Sequence, residues 1–141
     1  MSVATAENNV RRELQELLDE QDGLRPLVEE LTRAAELGDG TMQQIAERWL
    51  RLWNNSLERH CRDEEARLVL WIPGSPLLDR LHAEHGALRS LARALETAPT
   101  AALLQEVADL LGRHLDWERD ELMPAVASAM GFDPVEFAEV N

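Results

Sequence analysis

The chain has 141 residues and carries 27 acids against 14 bases, a net charge of -13, with one Cys, four His, four Trp and no Tyr. Every base is Arg, which excludes lysine Schiff-base, lysine general-base and P-loop chemistry; the absence of Tyr excludes tyrosyl-radical and phenol acid–base mechanisms. So acidic a chain lacks the basic face that a phosphate backbone requires, and no nucleic-acid partner is expected.

Pro and Gly punctuate the chain around Gly23 and Pro26, at Gly38 to Gly40, Pro73 to Pro76, Pro99, Pro124 and Gly131 to Pro134, and the periodicity between them is helical throughout. In the first segment an apolar stripe runs Val10, Leu14, Leu17, Gln21, Leu24, Val28, Leu31, Ala35, with Gln21 on its buried side. The second opens on Thr41 and Gln44, a capping box, and its stripe is Ile45, Trp49, Trp53, Leu57, His60, Glu64, Leu68, Trp71. The third starts at Ser75 with Pro76 in the first helical position and continues Leu78, Leu81, His85, Leu88, Ala92, Leu95, with His82 one turn before His85. The fourth starts near Pro99 and Thr100 and runs Leu104, Val107, Leu111, His114, Glu118, then Glu121 or Leu122, up to Pro124, which is expected to bend or end it. A tail helix with Asp133 as N-cap, Pro134 in the first position and Glu136 completing the box is expected after it.

Four amphipathic segments joined by short polar turns predict an all-α fold, an up-down-up-down antiparallel four-helix bundle with a short C-terminal helix. The length fits a single domain over residues 1–141, its bundle core at about 8–126 and its tail helix at about 133–139. Cys61 stands alone, so no disulfide is formed within the chain and a reducing compartment is expected. The N-terminus carries no leader pattern and no apolar run reaches a membrane span, so a cytoplasmic protein without membrane contact is expected.

The chemistry lies in two copies of one spacing, His60-x-x-x-Glu64 and His114-x-x-x-Glu118. Residues four apart share a helix face, so each pair presents an imidazole and a carboxylate to the same point of the interior. His85 joins them from the third segment, and His82, three residues earlier, is a possible further member. A lone His on an apolar face is ordinarily a hydrogen-bonded core residue, and one such pair ordinarily a surface contact; two pairs on core stripes are a different matter, because buried unpaired carboxylates are costly without a cation. Imidazole suits Zn, Cu, Fe or Ni, and two carboxylates able to bridge point to two metals. Cys61 beside His60 points about 100° away around the helix and reads as packing. Trp49, Trp53 and Trp71 read as core, with Trp53 and Trp71 able to wall the metal pocket.

These stretches, DEQDGLRPLVEEL (19–31), RHCRDEE (59–65), LHAEHGALRSL (81–91) and RHLDWERDELMP (113–124), resemble the hemerythrin-like family, the HHE cation-binding domains. The resemblance implies a bundle holding two non-haem iron ions, oxo- or hydroxo-bridged, with Mn or Zn as alternatives. It implies ligands at His60, Glu64, His85, His114 and Glu118, the two glutamates bridging. The departure is in the first segment, where the family has EHD and this chain has Glu20-Gln21-Asp22. Gln21 can bind through its amide oxygen, donate a hydrogen bond to a bound oxygen species, or leave a position to water. Hemerythrins proper place two third-helix histidines four apart and end the fourth-helix pair with Asp; His82 and His85 are three apart and the pair ends in Glu118, which resembles the four-histidine, two-glutamate branch. His82 is then a replacement ligand or an ordinary partly exposed residue.

The function implied is binding of, or reaction with, O2, peroxide or nitric oxide, in sensing, storage or detoxification; if the chain is an enzyme, it is a peroxide- or NO-consuming di-iron oxidoreductase. The alternative is a zinc-bound or metal-free helical interaction module with a degenerate site. A ferritin-like oxidase is disfavoured, since that architecture uses Glu-x-x-His and none occurs here.

Overall fold

The computed structural model describes residues 3–37 and 40–132, which form no strand. They make four long helical segments. The first comprises α1 (Val3–Asp22) and α2 (Arg25–Leu37); the second α3 (Gly40–Leu52), a π-helical turn (Trp53–Leu57) and α4 (Glu58–Trp71); the third is α5 (Pro76–Thr97); the fourth comprises α6 (Ala101–Trp117), a second π-helical turn (Glu118–Leu122) and α7 (Met123–Ala129). The expected tail helix at 133–139 lies outside the described residues. No helix of the described residues is long and apolar enough to cross a membrane.

Local chemistry sets the ends. Ser75 Oγ accepts the Leu77 N–H at 3.2 Å with Pro76 in the first helical position, and Thr100 Oγ1 accepts the Leu103 N–H at 3.1 Å. Ser75→Ala should therefore cost about 1 kcal/mol of stability, read as a lower thermal midpoint with helix content at room temperature unchanged.

Three segments depart from a plain heptad stripe, the second of them at its π-helical turn. The first breaks at Gly23 and Leu24, where the Gly23 N–H bonds the Asp19 carbonyl and the Leu24 N–H the Gln21 carbonyl, each at 3.1 Å. Pro26 then falls in the first turn of α2, where no backbone donor is needed. The fourth does not end at Pro124. The Met123 N–H reaches back to the Glu118 carbonyl, one residue further than in an α-helix, and this wider turn seats Pro124 in the first turn of α7, so the helix runs on to Ala129. The added residue also decides between Glu121 and Leu122: Leu122 is buried, while Glu121 is exposed.

Two apolar clusters form the core. One gathers Leu31, Trp49, Trp53, Leu57, Leu88, Leu95, Leu104 and Leu111; the other gathers Leu14, Leu17, Leu68, Leu78, Leu81, Trp117, Leu122 and Val126. Each segment crosses from one cluster to the other, and the direction alternates from segment to segment. At the crossing each carries polar side chains into the interior: Gln21, then Glu64, then His85, then His114 and Glu118, all buried. A polar layer between two apolar ones is costly unless its members satisfy one another or hold an ion.

Candidate metal centre

The layer is assembled from all four segments. One donor atom from each of Glu64, His85, His114 and Glu118 lies within 4.8 Å of the others. His85 Nε2 stands 3.1 Å from Glu64 Oε1 and 4.0 Å from Glu118 Oε1, and His114 Nε2 contacts Glu118 Oε1 directly. Spacing explains the meeting: the i, i+4 relation puts His114 and Glu118 on one face of the fourth segment, while Glu64 and His85 reach it from α4 and α5.

His60, predicted as a ligand, is set back. Its Nε2 is 3.9 Å from Glu64 Oε2, and it is not part of the four-donor group. Gln21 is buried and its amide donates to Glu64 Oε2 at 2.8 Å. His82 lies outside the group, its side chain 55 % exposed and its Nδ1 3.2 Å from Glu65 Oε1.

Three carboxylates that the sequence reading did not single out complete the geometry. Glu20 of α1 contacts His60 Nδ1; Glu65 of α4 lies 3.0 Å from His85 Nδ1; Glu84 of α5 lies 2.7 Å from His114 Nδ1. Each of the first three segments thus hands a glutamate to the ring on the next. The signal was the acid next to an inward residue in Glu20-Gln21, Glu64-Glu65 and Glu84-His85, since a neighbour about 100° round the helix faces the adjacent one. Two of these acids are themselves held: Arg80 Nε sits 2.7 Å from Glu84 and its guanidinium lies over the Trp117 ring, which packs on His114, while Arg89 stands 3.6 Å from Glu65.

This arrangement fixes each ring's chemistry. An imidazole whose Nδ1–H is donated outward to a carboxylate presents the Nε2 lone pair inward, the usual support for a metal-bound histidine. The inward nitrogens therefore face carboxylate oxygens, acceptor against acceptor. Glu64 Oε1 and Glu118 Oε2 are buried without a hydrogen-bond partner. Protons, a donating water or a cation can relieve this. Burial and the nearby Glu64 charge push the Glu118 carboxyl up to about 8, against the pull of His114. Burial opposes a charge on His114, yet the Glu118 carboxylate overrides it and raises the imidazole to about 10. Glu64 would also rise on burial, but the His85, His60 and His114 imidazoles outweigh this and hold it below the ordinary carboxylate range. The cluster thus keeps protons where a bound cation would replace them. Its donor set, imidazole nitrogen and carboxylate oxygen, fits a first-row transition ion.

Beside the cluster is a cavity of about 20 Å³, walled mainly by Leu24, Trp49, Trp53, Leu57, Leu88, Leu111 and Leu115 and bordered by His60, His85, His114 and Glu118. Trp53 walls it as expected; Trp71 packs against the second apolar cluster instead. Trp49, on the same wall, has a buried indole N–H with no hydrogen-bond partner. Cys61 is buried on this wall, and burial together with Glu64 and Glu118 pushes its thiol far up, which keeps it protonated and a poor nucleophile.

The outer carboxylates can be tested apart from the four-donor group. Glu84→Gln should weaken metal affinity by about 10- to 100-fold with helix content retained, measured by competition against a chromogenic chelator; an unchanged affinity would remove Glu84 from the site. Searches against family models, curated proteins and solved structures return no match to this chain.

Proposed function

We propose that this chain is a hemerythrin-like non-haem di-iron protein of the cytoplasm that binds or reacts with O2, peroxide or nitric oxide, its segments ordered up-down-up-down and antiparallel. The observation that carries the reading is the set of imidazoles tied outward through Nδ1 and converging through Nε2 on two buried carboxylates with orphaned oxygens. The alternating direction in which the segments cross between the two apolar clusters supports the bundle order.

Iron, when bound, supplies open coordination positions and redox chemistry toward small oxidants. The chain's own residues do the rest. His85 and His114 are oriented by Glu65 and Glu84, Gln21 holds Glu64, and the apolar wall excludes bulk water. A cavity of about 20 Å³ has room for about one water-sized molecule, which favours diatomics and peroxide over larger organic substrates.

The second reading, a zinc-bound or metal-free interaction module, is favoured by one observation: the Gln21 amide occupies an oxygen of Glu64 that a metal would otherwise use. Metal analysis with ultraviolet–visible spectra of aerobically purified protein separates the two. Bound iron with the absorption of a bridged ferric pair is the expected result. A colourless protein containing zinc, or no metal, would replace the first reading with the second.

A further inference from the structure

We propose that the centre is built unequally, with one tight cation position made by His85, His114, Glu64 and Glu118, and a second, exchangeable position on the His60 side. This rests on the metal-centre reading above and concerns how two divalent cations are held.

Four observations carry it. First, the four donors that converge within 4.8 Å exclude His60, whose Nε2 stands 3.9 Å from Glu64 Oε2. Second, that same Oε2 already accepts the Gln21 amide at 2.8 Å, whereas the oxygens left without partners are Glu64 Oε1, 3.1 Å from His85 Nε2, and Glu118 Oε2. Unmet acceptor capacity therefore lies in the four-donor group, and the His60 side is offered one imidazole and an oxygen already engaged. Third, the rings differ in support. Arg89 and Arg80 pair with the acids that orient His85 and His114, but Glu20, which orients His60, is 58 % exposed and has no Arg partner among the described residues. Donors locked by packing and outer hydrogen bonds lose less freedom on binding, so the anchored set binds tighter. Fourth, a surface groove of about 410 Å³ is bordered by Glu20, Arg59, His60 and Asp63, and His60, Leu24 and Leu57 line both this groove and the inner cavity. A cation beside His60 is thus near solvent, and one between His85 and His114 is not.

The test is titration of the metal-free full chain with Co(II), followed by calorimetry and by visible absorption. Two steps are expected, the first at least about tenfold tighter than the second. His60→Ala should abolish the second step and leave the first unchanged, Glu20→Gln should weaken only the second, and His114→Ala should weaken the first. Helix content of each variant is checked by circular dichroism. Uptake of two equivalents in one cooperative step, or loss of the first step in His60→Ala or Glu20→Gln, would overturn the inequality while leaving the metal centre standing. No uptake by the unsubstituted chain would overturn both.

Discussion

Removing a bound cation should lower the thermal midpoint about as far as truncating a large buried core side chain does. At a free metal concentration about a thousandfold above Kd, binding to the native state alone contributes about 4 kcal/mol, which for a chain of this size is a shift of roughly 10–15 °C. The physical reason is the polar layer. Without a cation, Glu64 and Glu118 share the interior with inward-facing imidazoles, two carboxylate oxygens lack a partner, and His114 and Glu118 retain protons. With a cation, the same oxygens and nitrogens become ligands. Scanning calorimetry of chelator-treated and metal-reconstituted protein reads the shift directly; coincident midpoints would mean that the layer holds no ion.

Glu118→Gln should separate metal binding from folding. The amide keeps the shape of the side chain and supplies a donor toward Glu64, as the protonated carboxyl does, but it neither titrates nor offers a carboxylate to a cation. Metal affinity should fall by at least about 100-fold, since a ligand carboxylate is lost outright. Metal-free stability at neutral pH should rise by about 1 kcal/mol or more, because folding at that pH no longer has to hold on Glu118 a proton that the unfolded chain releases. The pH dependence follows the same residue. A carboxyl raised to about 8 in the fold binds a proton that the unfolded chain releases above its ordinary value near 4.5, so Glu118 makes metal-free stability fall as pH rises across that window. His114, raised to about 10 from 6.5, adds a decline of the same sign between those values. Urea denaturation of the metal-free variant between pH 5 and 8 should show a shallower decline than that of the unsubstituted chain. An equal slope would assign the pH dependence to other groups.

Much of the architecture was legible because it depends on local chemistry. The stripe Leu78, Leu81, His85, Leu88, Ala92, Leu95 is buried as its spacing predicts, and Ser75 and Thr100 cap as their positions predict. Less was legible where the chain leaves the 3.6 period. A proline inside an α-helix costs a hydrogen bond, so Pro124 is expected to bend or end its segment, and periodicity contains no sign of the π turn that lets the helix run on to Ala129.

The same division runs through the site. Inward placement of Glu64, His85, His114 and Glu118 follows from their spacing along single helices, which a one-dimensional pattern records. Whether His60 and His82 reach the centre depends on how neighbouring segments are rotated and offset, which no pattern within one helix contains; one stands back against Glu20 and the other pairs with Glu65 at the surface. The outer carboxylates belong to the same class. Glu20, Glu65 and Glu84 gain their meaning only when the next segment brings an Nδ1 within reach. The sequence by itself therefore determined the helices, their inward faces and the kind of donor each face carries. The tertiary structure alone decided which donors meet, which acid orients which ring and which oxygens are left unsatisfied, because those are distances between helices set by packing.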